Sequence, residues 1–217
     1  MSGLLWFAKA TARKPRLITS IILVCGLITY THGQSFNPAR SANPASGQLI
    51  KIEKTTMLIP DAQVLNQRGE QVRLYTDLIK GKVVLMNFFY TSCTYICQMQ
   101  GDILSKIQVL LGDRLGKDVF LISISMDPQT DTPNKLRYWS NALNAKPGWT
   151  IVSSNAPEMS KMIADFTGDY PGPQEVHSSV IFAGNDRTGE WVAFDGLNGP
   201  ESLVKMINLL ASNTTSK

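Results

Sequence analysis

Cysteine and histidine are scarce in this 217-residue chain, which contains three cysteines and two histidines. Any chemistry that needs a thiol or an imidazole therefore depends on very few positions. The sequence also lacks the glycine-rich loops that hold nucleotide phosphates, so nucleotide chemistry is not expected. Because no basic stripe with interleaved aromatic residues is present, we predict no nucleic-acid partner.

Acidic residues are absent from the first 33 positions, which contain four basic residues. Residues 17–30 then carry no charge at all. A positive start followed by a short apolar run is typical of a signal peptide or a signal anchor. We therefore predict that residues 1–33 are an N-terminal signal peptide or membrane anchor. The rest of the chain is expected to face the periplasm, or the mitochondrial intermembrane space, as an exported or membrane-anchored protein.

Large apolar residues are sparse just after this segment. Residues 34–48 are polar and contain two Asn-Pro pairs, a composition that favours a linker. We assign residues 34–57 to a linker and residues 58–217 to a folded domain.

Within that domain, predicted strands alternate with predicted helices. Two nearly continuous apolar runs, 82–90 and 118–127, have the character of strands that are buried on both faces. A hairpin is predicted over 62–74, and a second hairpin and a closing helix follow near the end of the chain. This order predicts an α/β fold with a mixed central sheet, whose functional site lies at the carboxyl ends of the parallel strands.

Two of the three cysteines, Cys93 and Cys97, follow the first buried run. If a helix begins near Cys93, the two thiols share one helix face. A helix N-terminus stabilises thiolate, so we expect lowered thiol pKa values at this position. Apolar residues spaced as one helix face follow the pair, namely Met99, Ile103, Ile107, Leu110 and Leu111.

The cysteine pair has three possible roles. A structural disulfide suits an exported protein, but closing so short a loop removes little chain entropy. A thiol–disulfide oxidoreductase generally uses Cys-x-x-Cys, which is one residue shorter. A metal site is the third possibility, and it needs further ligands.

The second histidine supplies a candidate ligand. His32 lies at the export segment, so His177 is the only imidazole of the predicted folded domain. It lies at a junction between a turn-rich segment and a predicted strand, a place where ligands often gather. Two thiolates and one imidazole are a soft donor set that favours Cu(I), whereas a closed zinc site needs a fourth ligand.

Taken together, these features resemble the Sco (SenC) family of copper-binding, thioredoxin-fold proteins. The resemblance extends from about Leu58 to Leu210. It rests on a buried strand leading into Cys-x-x-x-Cys, on the segment SMDPQTDTP from Ser125 to Pro133, on the late histidine, and on the single N-terminal apolar segment with its linker.

The resemblance implies a three-layer thioredoxin-like domain over 58–217 that binds copper through Cys93, Cys97 and His177. It implies an assembly factor that delivers copper to the dinuclear centre of a cytochrome c oxidase subunit, or to another exported copper protein. The alternative is an exported thiol–disulfide reductase in which Cys93 and Cys97 are the redox pair that acts on a partner's copper-site cysteines.

Several positions qualify the resemblance. Asp127 falls at the family's acidic position near the site, although a turn or capping role is the simpler interpretation, and Asp131 with Thr132 is expected to cap a helix. Thr94 and Gln98 stand where family members usually have proline after each cysteine. Met99 could add a thioether ligand, although a place in the core is the simpler expectation.

Overall fold

The fold was analysed from a computed structural model that describes residues 50–52, 59–167 and 179–213. We number the elements along these residues. The eight strands are β1 (Ile50–Ile52), β2 (Gln63–Asn66), β3 (Gln71–Arg73), β4 (Val83–Phe89), β5 (Val119–Ser125), β6 (Trp149–Ser153), β7 (Val180–Asn185) and β8 (Glu190–Asp195). The four α-helices are α1 (Ile96–Leu111), α2 (Pro133–Ala142), α3 (Pro157–Thr167) and α4 (Pro200–Ser212). A π-helix, Leu74–Ile79, and a 3-10 turn, Gly112–Arg114, complete the described elements.

All eight strands form one mixed sheet in the order β1-β8-β7-β4-β5-β6-β2-β3. The three central strands β4, β5 and β6 are parallel, whereas the strands on either side pair antiparallel. Both predicted hairpins are present, as β2–β3 and β7–β8. Strand β1 lies within the segment that the sequence analysis assigned to the linker, and these three residues extend the sheet by pairing with β8.

The core is divided between the two faces of the sheet, because successive strand residues point to opposite sides. On β4, Val84, Met86 and Phe88 join the cluster that contains α3 and the π-helix. Val83, Leu85 and Phe89 join the cluster that contains residues of α1, α2 and α4. Helices therefore cover both faces, which confirms the predicted three-layer, thioredoxin-like α/β fold.

The carboxyl ends of the central parallel strands form one edge of this sheet. Strand β4 ends at Phe89, four residues before Cys93, and β5 ends at Ser125, two residues before Asp127. These two loops meet because β4 and β5 are paired in register along their whole length. The sequence-predicted candidates Cys93, Cys97 and Asp127 therefore lie at the edge where α/β folds place their sites.

None of the helices within the described ranges combines the length and the apolar character that a bilayer span requires. The predicted export segment, residues 1–33, lies outside the described residues.

Candidate metal centre

The cysteine pair occupies the connection between β4 and α1. The helix that was considered to begin near Cys93 begins three residues later, at Ile96, with Tyr95 as its N-cap. Cys97 is therefore in the first turn of the helix, while Cys93 lies in the loop before it. The two residues are nevertheless in contact, because the Cys97 backbone N–H donates to Cys93 Sγ at 3.3 Å.

Both cysteines are thiols, and both are buried. Cys93 is 7% exposed and Cys97 only 1%. Both belong to the apolar cluster beneath α1. Solvent therefore contacts a small part of Cys93 and almost none of Cys97, so a molecule in solution reaches the pair at Cys93.

The pKa of Cys97 is shifted in the direction opposite to our prediction. Burial raises the pKa of this thiol well above its ordinary value, and the hydrogen bond with Cys93 raises it further. A hydrogen bond with the Tyr90 backbone acts in the lowering direction but is outweighed. Desolvation disfavours the charged thiolate form of a buried thiol. Burial therefore favours the neutral thiol form of Cys97.

Asp131 fastens the cysteine loop to the neighbouring strand. Its buried carboxylate accepts the Thr91 backbone N–H at 3.1 Å and also the Thr91 hydroxyl. The Ser125 hydroxyl donates to the same carboxylate at 2.6 Å. Since Thr91 lies two residues before Cys93, these bonds fix the start of the cysteine loop. We call this set of hydrogen bonds the Asp131 clasp.

The expected capping role of Asp131 is therefore wrong. Thr132 is the N-cap residue of α2, but its side chain makes no capping hydrogen bond. The Asp131 carboxylate is already occupied by donors from the ends of β4 and β5. Thr91 is 40 positions before Asp131 in the sequence and Ser125 is six positions before it, so the tertiary fold brings both donors to this carboxylate.

Asp127 has the simpler of its two predicted roles. It is buried, and its carboxylate accepts the Thr130 backbone N–H at 3.3 Å. Its own N–H donates to the Ser125 hydroxyl at 3.1 Å. Asp127 thus closes the turn after β5 beside the Asp131 clasp.

Other residues around the pair are open to solvent. Thr94 and Gln98, the positions where proline is usual, are both exposed. Met99 is 40% exposed and Leu110 is also exposed, so the prediction that they belong to the core face of the helix is wrong. Ile107 and Leu111 are buried as predicted, and the buried face of α1 also includes Gln100 and Leu104.

A groove of about 740 Å³ opens beside the cysteine loop, between α1 and α2. Its wall includes Thr91 and Ser92 just before Cys93, and Gln98 just after Cys97. The opposite wall is formed by side chains of α2, including Tyr138 and Trp139. Trp139 stacks on Phe89 at a centroid separation of 5.3 Å, which fixes α2 against the end of β4. The pair is therefore flanked by a surface that a second molecule can reach.

The third predicted ligand, His177, lies outside the described residues. Within the described part of the chain, no cluster of three or more His, Cys, Asp or Glu side chains is arranged to hold a metal ion. The described residues thus bring together two of the three predicted ligands. Two soft sulfur donors in contact suit a thiophilic ion such as Cu(I).

The sequence analysis did not identify the polar residues that surround the pair. Asn87, Ser123 and Ser125 are buried within the two apolar strands. A polar residue inside a run that is buried on both faces needs a hydrogen-bond partner, and this was the available signal. Their partners, including Gln100 and Asp131, come from distant positions.

The sequence was compared with known families and proteins. A model of the SCO1/SenC family matches residues 52–194, which is more than half of the chain. A SCO2-like protein of Rickettsia conorii is 28% identical over 103 residues, covering 48% of this chain and 49% of the relative. The SCO1 protein homolog of Bacillus subtilis is 36% identical over 72 residues, covering 33% of this chain and 36% of that protein. The chain thus spans about half the length of the Rickettsia relative, or less for the Bacillus one.

Solved structures have the same fold. A SCO1/SenC family lipoprotein from Bacillus anthracis has a TM-score of 0.59 at 23% identity, with 70% of this chain and 93% of that chain covered. BsSco, described with a disulfide switch and as a member of the Sco family of cytochrome c oxidase assembly proteins, has a TM-score of 0.58 at 21% identity, with 70% and 92% covered. ScoI of Bradyrhizobium japonicum, solved with copper bound, has a TM-score of 0.55 at 23% identity, with 70% and 99% covered. With the family match over residues 52–194, these findings show that the chain belongs to the SCO1/SenC family.

Proposed function

We propose that this protein binds copper through Cys93, Cys97 and His177 and delivers it to a cytochrome c oxidase subunit or to another exported copper protein. The observation that supports this most strongly is the pair of buried thiols in contact at the sheet edge, with Cys97 N–H donating to Cys93 Sγ at 3.3 Å. Relatives with the same fold were solved with copper bound.

The burial of Cys97 couples copper binding by this residue to the loss of its proton. Its raised pKa means that the thiolate is unfavourable in the metal-free protein. A bound cation reverses this preference, because metal binding displaces the thiol proton. Copper binding would thus release the thiol proton, and the bound cation would neutralise the thiolate charge that burial otherwise disfavours.

Transfer to a partner is expected to proceed by ligand exchange. Cys93 is the more exposed thiol and adjoins the groove between α1 and α2, so the partner's cysteine can approach from that side. One thiolate of the partner replaces one ligand at a time, and the ion is never fully released to water. We further propose that residues 1–33 export the domain, or anchor it in the membrane.

The test is copper binding by the reduced full-length chain in detergent. We expect stoichiometric copper and sulfur-to-copper charge-transfer absorption in the wild type. Cys93→Ser and Cys97→Ser should lose tight binding, and His177→Ala should weaken it and change the spectrum. Cys25→Ser is the matched control, because it removes the third cysteine without touching the pair. Unchanged binding in Cys93→Ser and His177→Ala would refute the proposal.

A thiol–disulfide reductase is the second candidate, favoured by the unequal exposure of the two thiols. In that reaction the Cys93 thiolate attacks a partner disulfide, forms a mixed disulfide and expels one partner thiolate. The Cys97 thiolate then attacks Cys93, so that Cys93–Cys97 becomes the disulfide and the partner leaves with two thiols. The electrons come from the Cys93–Cys97 dithiol itself.

The two functions differ in their need for His177. If the protein is a reductase, His177→Ala retains the rate of partner reduction, and Cys97→Ser accumulates the mixed disulfide on Cys93. If it is a copper carrier, His177→Ala impairs copper retention and transfer to a copper-free oxidase subunit. Measuring both activities on Cys93→Ser, Cys97→Ser and His177→Ala separates the candidates.

A further inference from the structure

A line of hydrogen-bonded polar side chains crosses the apolar core beneath α1. The indole N–H of Trp149 on β6 donates to Ser123 Oγ on β5 at 3.0 Å. The Ser123 hydroxyl then donates to Asn87 Oδ1 on β4 at 2.6 Å. All three residues are buried. The line therefore spans the three parallel strands at the centre of the sheet.

The line continues from the sheet into the cysteine-bearing helix. Asn87 Nδ2 donates to Gln100 Oε1 at 3.4 Å, the longest link. Gln100 Nε2 donates to the Ser179 carbonyl at 2.5 Å, and Gln100 is 0% exposed. Every member donates in the same direction, and bonds aligned in this way strengthen one another. We call this set, from Trp149 to the Ser179 carbonyl, the core relay.

The two ends of the final link lie close in sequence to the proposed ligands. Gln100 is three residues after Cys97 on α1, and Ser179 is two residues after His177. Ser179 is also the residue that immediately precedes β7. The Gln100 amide thus connects α1, which contains Cys97, to the start of β7, which follows His177 in the sequence.

The packing around this link leaves no spare room. The Gly196 N–H also donates to the Ser179 carbonyl, at 2.8 Å. A Cβ added at Gly196 would lie 2.4 Å from the Ser179 oxygen and 2.5 Å from Gln100 Nε2. Such separations are far below ordinary contact, so only glycine permits the approach. The position of Ser179 is fixed from two sides.

An apolar side chain at position 100 would be the simpler way to fill the core. Burying an amide costs free energy unless both of its ends are hydrogen-bonded, so a buried glutamine contributes mainly by specifying one arrangement. Here the arrangement specified is the separation between α1 and the start of β7.

We propose that Gln100 is a positioning residue of the copper site. Through its bond to the Ser179 carbonyl it holds the start of β7 at a fixed distance from the helix that bears Cys97, and the core relay holds Gln100 in its rotamer. The consequence for copper rests on the function proposed above, whereas the mechanical link between α1 and β7 does not.

The same helix supplies a matched control. Gln108 is also buried, and its amide bonds to backbone groups, donating to the Leu143 and Asn144 carbonyls and accepting the Lys146 N–H. It lies two turns further along α1, away from the cysteine pair. If Gln100 had only a structural role, substituting Gln100 and substituting Gln108 should affect the copper site equally.

The experiment compares Gln100→Met with Gln108→Met in the full-length chain. Methionine keeps the length and volume of the side chain and removes both polar ends. In Gln100→Met, the Ser179 carbonyl retains its bond from the Gly196 N–H, so we expect the variant to fold. Gly196→Ala serves as a second, independent variant, because it pushes Ser179 and Gln100 apart from the β8 side.

The first measurement uses the metal-free protein. Hydrogen exchange at the Gly196 amide should rise several-fold to about tenfold in Gln100→Met. The reason is that the Ser179 carbonyl, which accepts the Gly196 N–H, loses its bond to Gln100 and becomes less firmly held. Exchange should stay near the wild-type rate in Gln108→Met. Equal exchange at Gly196 in the two glutamine variants would overturn the link itself, whether or not the protein binds copper.

The second measurement uses the copper-loaded protein. Gln100→Met and Gly196→Ala should shift the sulfur-to-copper absorption and the Cu(II) electron paramagnetic resonance parameters, and should release copper several-fold faster to a chelator. Gln108→Met should have the wild-type spectrum. A wild-type spectrum in Gln100→Met would overturn the positioning role. If the wild type binds no copper, the proposed function fails, and the exchange data alone then decide whether the link exists.

Discussion

At its first turns α1 presents Cys97 and Gln100 to the core, whereas at its last turns it presents Gln108 and Leu111. Both ends bury one glutamine whose amide fixes a backbone segment. At the far end the glutamine secures the turn after α2. At the near end it lies beside two thiols and the Asp131 clasp. The comparison suggests that the far half of the helix maintains the fold, while the near half arranges a site.

The largest expected loss of unfolding free energy comes from a substitution in the far half of α1. Ile107→Ala removes a fully buried side chain from the core beneath α1 and should lower the free energy of unfolding by about 2–5 kcal/mol. Urea denaturation measures this loss, and Val109→Ala, at a position that is 66% exposed, is the control with little change. The folded fraction of Ile107→Ala should bind copper with the wild-type spectrum. A changed copper spectrum would contradict the inference that the far half of α1 maintains only the fold.

The next effect tests the near half. Asp131→Ala leaves the Thr91 N–H, the Thr91 hydroxyl and the Ser125 hydroxyl without their acceptor. We expect a loss of about 1–3 kcal/mol in unfolding free energy, together with faster thiol alkylation in the loosened cysteine loop. Asp113→Ala, which removes an exposed carboxylate beyond the far end of α1, should change neither quantity. Unchanged alkylation in Asp131→Ala would show that the clasp does not constrain the loop.

A third test sharpens the comparison within the near half. Iodoacetamide should modify Cys93 about tenfold or more faster than Cys97 in the reduced protein. Cys93 is the more exposed, and burial raises the pKa of Cys97, which lowers its thiolate fraction about tenfold for each pKa unit. Peptide mass spectrometry over time gives both rates. Similar rates in denaturant are the internal control, and faster labelling of Cys97 in the native protein would contradict the assigned order of access.

The smallest effect is expected at the surface beyond the far end of α1. Arg114 Nε and Asp118 Oδ2 are 3.7 Å apart, and both side chains are solvent-exposed. Because water screens such a pair, Asp118→Asn should change the unfolding free energy by less than about 0.5 kcal/mol. Urea denaturation at low and at high salt measures it. A loss approaching that of Asp131→Ala would show that charge at this end matters as much as the clasp.

Much of the fold could be predicted from the sequence because its signals are local. The continuous apolar runs around Met86 and Ile122 identified two central strands, and Pro133 after Thr132 identified the start of a helix. The start of α1 was less certain, because its N-cap is Tyr95, a residue type that does not signal a helix start. Met99 and Leu110 were assigned to the core because an apolar residue at helical spacing does not by itself reveal which side meets solvent.

The candidate site could be predicted only in part. Cys93, Cys97 and His177 were identified because thiols and imidazoles are rare in this chain. The buried partners were not, since Asp131 and Gln100 are ordinary residues whose roles depend on groups elsewhere in the chain. The direction of the Cys97 pKa shift was also missed, because burial is a property of the folded protein.

The sequence by itself determined the alternation of strands and helices and the presence of two thiols just beyond a buried strand. These follow from covalent order and from the periodicity of apolar residues. Only the tertiary structure decided which polar groups meet in the core, including Thr91 with Asp131 and Gln100 with Ser179. Hydrogen bonds between distant residues require a shared position in space, and pairing of the parallel strands and packing of α1 on the sheet create that position.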